Sequence, residues 1–108
     1  IDKAFITGAC IPAVKITDTV KQVTTGQRIS KTLDRELLYK AQTPQVFRLD
    51  LVLNAYAHAR ATSFAGTDDA SIMEHAGVPV FVTPGSVLNI KLTTPEDLSF
   101  ARYLLKTQ

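Results

Sequence analysis

The sequence lacks the short motifs by which many enzyme and metal sites are found. It contains no CxxC, HExxH, GxSxG or GxGxxG pattern and no Walker lysine. The two histidines, His58 and His75, fall on predicted helices with no second metal ligand at a useful spacing, so both are interpreted as solvated. Zinc peptidases, serine hydrolases and dinucleotide-binding turns are therefore not indicated by these 108 residues.

Cysteine, long apolar runs and excess charge are also scarce. A single cysteine, Cys10, cannot form an internal disulfide, which suits a reducing compartment, and its favoured interpretation is a small buried hydrophobe. No run of 18 apolar residues is present, so no transmembrane span and no membrane partner are predicted. The net charge of +2 is small, the basic residues are scattered, and there is no aromatic platform, which argues against nucleic acid as a partner.

The length and composition fit one small domain or part of a larger one. Hydrophobic residues make up 45% of the 108 residues, enough for a packed core. Ile1-Asp2-Lys3 resembles the inside of a helix that ends at Gly8, and no methionine precedes it. We expect a larger protein whose first part is absent from this chain.

The stretch Asn89–Asp97 gives the strongest local prediction. Residues 89–92 alternate polar and apolar side chains, which predicts the end of a buried strand. Thr94 is a good N-cap and Pro95 suits the first helical position, so a helix is predicted to follow. Lys91 would then lie at the carboxyl end of a strand, where α/β sheets bind ligands. We predict that it faces a phosphate group; the alternative is a lysine that snorkels to solvent.

The remaining patterns predict an α/β fold with an inserted hairpin. Residues 9–16 are apolar and β-branched, so they predict a strand, and Pro12 places it at an edge or a bulge. Residues 17–23 and 28–33 alternate around a loop that contains Gly26, which predicts a hairpin with few apolar residues. Because such a hairpin is marginal alone, we expect an arm, about residues 17–33, that crosses to a partner.

Helices are predicted in the middle of the chain. One runs from residue 48 to about residue 61, and a second follows residues 67–69, with Thr67 or Asp68 as its cap and Gly77 as its stop. Met73 is assigned to the core. The predicted apolar stripe of the first helix consists of Leu49, Val52, Leu53, Tyr56 and Ala57.

Cationic and hydroxyl side chains at the predicted ends of elements are the remaining candidates for chemistry. They are Thr19, Arg35, Thr43, Thr67 and Lys91. Guanidinium groups bind oxyanions in a bidentate manner, ammonium groups act as point charges, and hydroxyls fill the remaining lone pairs. These residues by themselves predict only a protein that binds a phosphorylated small molecule.

Six segments in this order closely resemble the C-terminal half of the 2-C-methyl-D-erythritol 4-phosphate cytidylyltransferase family. They are Ile11-Pro12-Ala13-Val14, Thr17-Asp18-Thr19-Val20-Lys21, Leu33-Asp34-Arg35, Gln42-Thr43-Pro44-Gln45-Val46-Phe47, Thr67-Asp68-Asp69-Ala70-Ser71 and residues 89–97. The resemblance implies residues 1–108 of a Rossmann-like α/β nucleotidyltransferase domain with a protruding β-hairpin arm that interlocks two subunits. It also implies that the N-terminal nucleotide-binding half is absent here.

The resemblance further implies a transferase of the non-mevalonate route to isoprenoids. The enzyme would join 2-C-methyl-D-erythritol 4-phosphate to CMP from CTP, release pyrophosphate, and use Mg²⁺ bound through the CTP phosphates. Lys91 and Arg35 would be catalytic. Thr19, Arg35, Thr43, Thr67 and Lys91 would bind substrate, with the arm region of a homodimer partner completing each site.

Several expectations and alternatives remain open at this point. Because the family's glycine-rich CTP loop is missing, we expect these 108 residues alone not to turn over. A ribitol 5-phosphate cytidylyltransferase and a non-catalytic dimerisation fragment are the alternatives. The family implies a bacterial cytoplasmic or a plastid location. The sequence leaves open the source organism and whether another catalytic domain follows Gln108.

Overall fold

The computed structural model describes residues 1–107, which form a mixed α/β arrangement. The helices are α1 (Asp2–Thr7), α2 (Leu49–Ala61), α3 (Asp69–His75) and α4 (Pro95–Lys106), and a short 3-10 helix spans Arg35–Leu37. The strands are β1 (Ala9–Lys15), β2 (Lys21–Val23), β3 (Ile29–Thr32), β4 (Tyr39–Ala41), β5 (Val46–Phe47) and β6 (Phe81–Pro84). Across these residues, no helix is both long and apolar enough to cross a bilayer.

β1 is the central strand of the main sheet. β5 pairs antiparallel with its first half and β4 with its second half, while β6 runs parallel to it along the opposite side. Because it has neighbours on both sides, Ala9, Cys10, Ile11 and Ala13 are buried. The prediction of Cys10 as a small buried hydrophobe is confirmed.

Pro12 does not mark a sheet edge, so that part of the prediction was wrong. Its carbonyl accepts a hydrogen bond from the Gln42 N–H at 2.8 Å, so its missing N–H faces the same side. That side is where β4 has ended at Ala41 and β5 has not yet begun at Val46. The proline is tolerated in the central strand because it falls where the β4 ladder ends, and the Gln42 carbonyl, which it cannot bond, accepts from Gln45 Nε2 at 3.4 Å.

The core lies between the sheet and the helix pair α2 and α3. Ala9, Ala55, Ala59, Ile72 and Met73 form one buried cluster, and the Met73 side chain has no exposed area. The assignment of Met73 to the core is confirmed. Its flexible thioether chain fills the space between two helices that approach closely through alanines.

Most of the predicted apolar stripe of α2 faces away from the core, so this prediction was largely wrong. Leu49 is 70% exposed and Leu53 is 60% exposed, whereas Ala55 and Ala59 are buried. A helix packs closely through small side chains, so the alanine face lies inward and the leucine face remains uncovered by the described residues. Hydrophobic spacing alone favoured the larger side chains, which is why the prediction failed.

Residues 89–92 form no strand, contrary to the alternation in the sequence. The chain turns here, with the Asn89 N–H donating to the Ser86 carbonyl at 3.0 Å and the Ile90 N–H donating to the Leu88 carbonyl at 3.1 Å. Polar and apolar residues can alternate in any extended segment, and among the described residues this one has no strand partner. The predicted position of Lys91 at a strand end is therefore corrected to an irregular loop.

The helix termini follow the sequence prediction closely. Thr94 caps α4 and Asp68, rather than Thr67, caps α3, each in a reciprocal capping box with the residue three positions later. Gly8 ends α1 at φ 93°, in the left-handed region that glycine tolerates. These local signals suffice because a cap involves only neighbours in sequence.

The predicted hairpin is present as a separate two-stranded sheet. β2 and β3 pair antiparallel around the loop that contains Gly26, with an irregularity between Gln22 and Val23. Every residue of 21–32 is exposed, including the apolar Val23 and Ile29. The strands are shorter than predicted, although the Leu33 N–H still donates to the Val20 carbonyl at 2.9 Å just beyond them.

Candidate functional site

A cleft with a volume of about 560 Å³ opens beside the carboxyl ends of the parallel strands β1 and β6. This is the edge at which open α/β sheets bind ligands. Residues from the end of β1, from the β4–β5 corner, from the α3 cap and from the 87–97 segment line it. The charged and amide-bearing members are Lys15, Asp18, Lys40, Gln42, Gln45, Asp68, Asn89, Lys91 and Asp97.

Three lysines and three aspartates line the cleft, and the contacts of the lysines decide which positive charges remain available. Lys15 forms an ion pair with Glu36 at 2.7 Å, and this hydrogen bond raises the pKa of Lys15 and lowers the pKa of Glu36. Within residues 1–107, Lys40 and Lys91 form no ion pair. Two ammonium groups therefore remain available for an anionic ligand such as a phosphate.

Side chains from the β4–β5 corner hold the loop before Lys91. The Gln42 amide donates from Nε2 to the Ser86 carbonyl at 2.7 Å and accepts at Oε1 from the Ser86 N–H at 3.1 Å. Asn89 Nδ2 donates to the Thr43 carbonyl at 2.7 Å. The loop is thus bound through its backbone and through Asn89, two residues before Lys91.

A second anchor holds the chain just after Lys91. Asp97 Oδ2 accepts from the Thr93 hydroxyl at 2.8 Å, from the Thr93 N–H at 3.1 Å and from the Thr94 N–H at 3.0 Å. These contacts lower the pKa of Asp97, with the Thr93 hydroxyl as the main cause. Lys91 consequently lies in a short span between two fixed points.

Within a single chain, two of the five predicted site residues line the cleft. Lys91 and Thr43 both line the cleft, whereas Thr19, Arg35 and Thr67 do not. The Arg35 guanidinium donates to the Thr17 carbonyl at 2.8 Å, and Thr17 is a lining residue. Thr19 and Thr67 are exposed, each next in sequence to a lining aspartate, Asp18 or Asp68. The roles assigned to all five residues remain predictions.

Lys15, Lys40, Gln42 and Asn89 line the cleft but were not among the predicted site residues. Lys40 lies opposite Val14 and Lys15 opposite Tyr39 in the β1–β4 ladder, so these two lysines reach the cleft lining only because the strands pair. That pairing is not visible in the local pattern. The signal that could have found Gln42 and Asn89 was their place within the two segments that carry the family resemblance.

Asp68 has a structural task at the cleft. Its carboxylate accepts from Gln45 Nε2 at 2.9 Å and from the Ser71 N–H at 2.8 Å, and these bonds, the Gln45 bond foremost, lower its pKa. With Asp97 acting in the same way, two of the lining carboxylates are engaged in helix caps. In residues 1–107, no group of three or more His, Cys, Asp or Glu side chains could hold a metal ion.

The lowered pKa of Asp97 predicts a loss of stability in acid. Because the folded-state pKa of Asp97 lies below its ordinary value of 3.8, its contribution is present above that value and is lost as the pH falls through the lowered one. Asp97→Asn should therefore be less stable than the parent protein near neutral pH, with the difference shrinking in acid. Urea unfolding at a series of pH values measures this.

Asp50→Asn is the matched control for that experiment. The Asp50 carboxylate contacts only the Arg48 guanidinium among the described residues, at 3.5 Å, and bonds no backbone N–H. Its unfolding midpoint should follow that of the parent protein across the pH series. An Asp97→Asn curve that runs parallel to the parent curve would contradict the assigned cap.

Comparison with known proteins connects this geometry to a family. The sequence profile of the 2-C-methyl-D-erythritol 4-phosphate cytidylyltransferases matches residues 2–107. The chain belongs to this family. Two curated members, from Bacillus licheniformis and Syntrophus aciditrophicus, are 48% and 49% identical to it over 108 residues.

The family match covers the whole chain but only part of each relative. All of the chain aligns with each of these two members, yet it spans 46% of their length, about half. The crystal structure of the Thermus thermophilus family member superposes with a TM-score of 0.86 at 31% identity, over 98% of this chain and 52% of that one. The predicted α/β nucleotidyltransferase fold and the predicted family are thereby confirmed.

Proposed function

We propose that these 108 residues act within a CTP-dependent cytidylyltransferase of non-mevalonate isoprenoid biosynthesis. The enzyme would join 2-C-methyl-D-erythritol 4-phosphate to CMP and release pyrophosphate. Family membership supports the reaction class. The observation that carries the proposal in this chain is the cleft at the sheet edge, where the Lys40 and Lys91 ammonium groups have no acidic partner among the described residues.

The proposed reaction needs positioning and charge neutralisation rather than a protein nucleophile. An oxygen of the substrate phosphate forms a bond to the α-phosphorus of CTP, and the bond from that phosphorus to the bridging oxygen of the pyrophosphate breaks. Lys91 would neutralise charge that develops on the α-phosphate, while the Thr43 hydroxyl would hold a substrate oxygen. Both line one cleft, so this chain can contribute a cation and a hydroxyl beside the two phosphates that react.

We assign Arg35, Thr19 and Thr67 to the methylerythritol phosphate. Arg35 and Thr19 lie on the segments that flank the hairpin, and Thr67 precedes the α3 cap. In the proposed homodimer, the arm of residues 17–33 packs against a second copy, and Arg35 and Thr19 act in the partner's site. The full exposure of β2 and β3, which includes Val23 at 58% and Ile29 at 55%, supports a partner for this hairpin.

The remaining half of the family's length would complete the nucleotide site. Because the chain spans about half of its curated relatives, we propose that a further segment supplies the cytosine pocket and most of the triphosphate contacts. The 108 residues alone would then not turn over. Mg²⁺ would arrive with CTP and be held by its phosphate oxygens, and we assign no ligand or step for it to this chain.

We also propose a cytoplasmic location. The bacterial origin of the similar proteins supports it over the plastid alternative.

The test uses a chimera in which residues 1–108 replace the matched segment of the Bacillus licheniformis relative. Pyrophosphate release is measured with CTP and either 2-C-methyl-D-erythritol 4-phosphate or ribitol 5-phosphate. We expect turnover with the first substrate and a kcat/KM at least about tenfold lower with the second, since a site built for one set of hydroxyls leaves them unpaired with another.

The possible results of this assay separate the alternatives. A preference for ribitol 5-phosphate would replace the substrate assignment. A folded chimera that releases no pyrophosphate with either polyol phosphate would favour the non-catalytic dimerisation fragment. The residues 1–108 without the added segment serve as the control and should be inactive.

A further inference from the structure

We infer that Gln42 is a positioning residue that sets Lys91 in the cleft by fixing the backbone of residues 86–89. The inference rests on the proposed function, because it concerns how the reactive cleft is assembled. Gln42 lies immediately after β4, at the corner that leads to Thr43. Its side chain reaches across the cleft to a loop that is 44 residues later in the sequence.

The contact is a complete side-chain-to-backbone clamp. One amide donates to the Ser86 carbonyl and accepts from the Ser86 N–H, at 2.7 and 3.1 Å, so that it replaces a strand partner for this residue. The same Nε2 also donates to the Asn89 carbonyl at 3.2 Å. Glutamine is suited to this role because its amide carries both donors and an acceptor.

The preceding residue shows how closely the loop must approach. A side chain at Gly85 would collide with Gln42 Oε1, and its Cβ would lie 3.2 Å from both the N and the O of Ala13. The Gly85 N–H donates to the Ala13 carbonyl at 3.0 Å, which extends the β1–β6 ladder by one bond. The β1–β6 ladder therefore positions the backbone as far as Gly85, and the Gln42 side chain hydrogen-bonds the backbone of the next residue, Ser86.

The clamp matters for Lys91 because the described residues offer its ammonium no ion-pair partner. The position of this side chain must come from its backbone, which is held by Gln42 and Asn89 before it and by Asp97 after it. The Asp97 anchor is local to the start of α4, whereas Gln42 and Asn89 connect the loop before Lys91 to the corner that carries Thr43, and Gln42 does so through three of the four hydrogen bonds. A displacement of about 1 Å at a reacting group can lower turnover about 100-fold.

The experiment compares Gln42→Glu and Gln42→Met in the chimera defined above. Glutamate keeps an acceptor but places a carboxylate oxygen against the Ser86 carbonyl, and methionine keeps the length without hydrogen bonds. Asn54→Asp is the control, since it makes the same amide-to-carboxylate change on an exposed face of α2 where the described residues give it no hydrogen bond. We expect kcat to fall about 10- to 100-fold in both Gln42 variants, with a smaller change in KM for CTP.

Two further readouts distinguish positioning from a general loss of structure. Hydrogen exchange should accelerate in the peptide covering residues 84–93 and remain unchanged in α2. In a Lys91→Ala background, Gln42→Met should lower kcat less than about threefold, because the group it positions is already gone.

The outcomes separate this inference from the proposed function. If Lys91→Ala is impaired while both Gln42 variants match Asn54→Asp in kcat, the inference is overturned and the proposed function stands. An equal loss from Gln42→Met in the two backgrounds would also overturn it, since Gln42 would then act independently of Lys91. If Lys91→Ala itself turns over normally, the inference is overturned because Lys91 has no catalytic role, while the proposed function fails only if the parent chimera releases no pyrophosphate.

Discussion

Lys91→Ala is expected to lower kcat of the chimera about 100-fold or more, the loss typical of removing one preorganised group that stabilises transition-state charge. Lys91 lines the cleft, and residues 1–107 give it no ion-pair partner, so its charge is available to the reacting phosphates. Lys91→Arg should recover part of the rate, because it restores the charge with a different geometry. Steady-state pyrophosphate release with saturating CTP measures both variants.

The control for this prediction is another exposed lysine. Lys106→Ala removes a charge from the last turn of α4, outside the cleft lining, and should leave turnover unchanged. A Lys91→Ala rate within about threefold of the parent, less than about 0.7 kcal/mol of barrier, would show that Lys91 has no catalytic role.

Mixing variants also tests whether Arg35 acts across a dimer. Arg35→Ala and Lys91→Ala should each be impaired alone. If each site combines Lys91 of one protomer with Arg35 of the other, random reassociation of the two variants restores one intact site per hybrid dimer, about a quarter of the parent activity. No recovery after verified exchange would place Arg35 in the site of its own chain or outside both.

Met73→Ala is expected to produce the largest loss of stability among single substitutions, about 2–5 kcal/mol. The side chain has no exposed area and packs where α2, α3 and β1 meet. Truncation leaves a void that the alanines Ala9, Ala55 and Ala59 cannot fill, because they have no flexible atoms to move into it. Urea unfolding of the chimera gives the free energy difference.

Glu74→Ala provides the comparison within the same helix. Its side chain is exposed, so the free energy of unfolding should change by no more than about 0.5 kcal/mol. A Met73→Ala variant as stable as Glu74→Ala would mean that the α2–α3 interface collapses around the deletion or is not the core.

The parts of the fold that depend on neighbours in sequence were predictable. Thr94, Pro95 and Asp97 specify the start of α4 by themselves, and Gly8 specifies the end of α1, since both need only local hydrogen bonds and a permitted backbone angle. The inward face of α2 was not predictable in this way. It depends on how closely the helix approaches β1, which favours Ala55 and Ala59 over the larger Leu53.

The same distinction between local and long-range contacts applies to the candidate site. Lys91 and Thr43 were identified as a cation and a hydroxyl at predicted element ends, the resemblance then implied their roles, and the structure brings both to one cleft. Lys15 and Lys40 join them through the pairing of β1 with β4, and Gln42 through a contact 44 residues away in sequence. The alternation at residues 89–92 was misleading because a side-chain amide, rather than a strand, satisfies the neighbouring backbone.

The placement of Cys10 in the central strand has a practical consequence. It is the single sulfhydryl of these 108 residues, and it is buried with strands on both sides. A thiol reagent can reach it only when the sheet separates, so the rate of its modification reports how often the molecule opens at its centre. The modification rate of Cys10 therefore measures local opening of the sheet, and no label has to be introduced for this experiment.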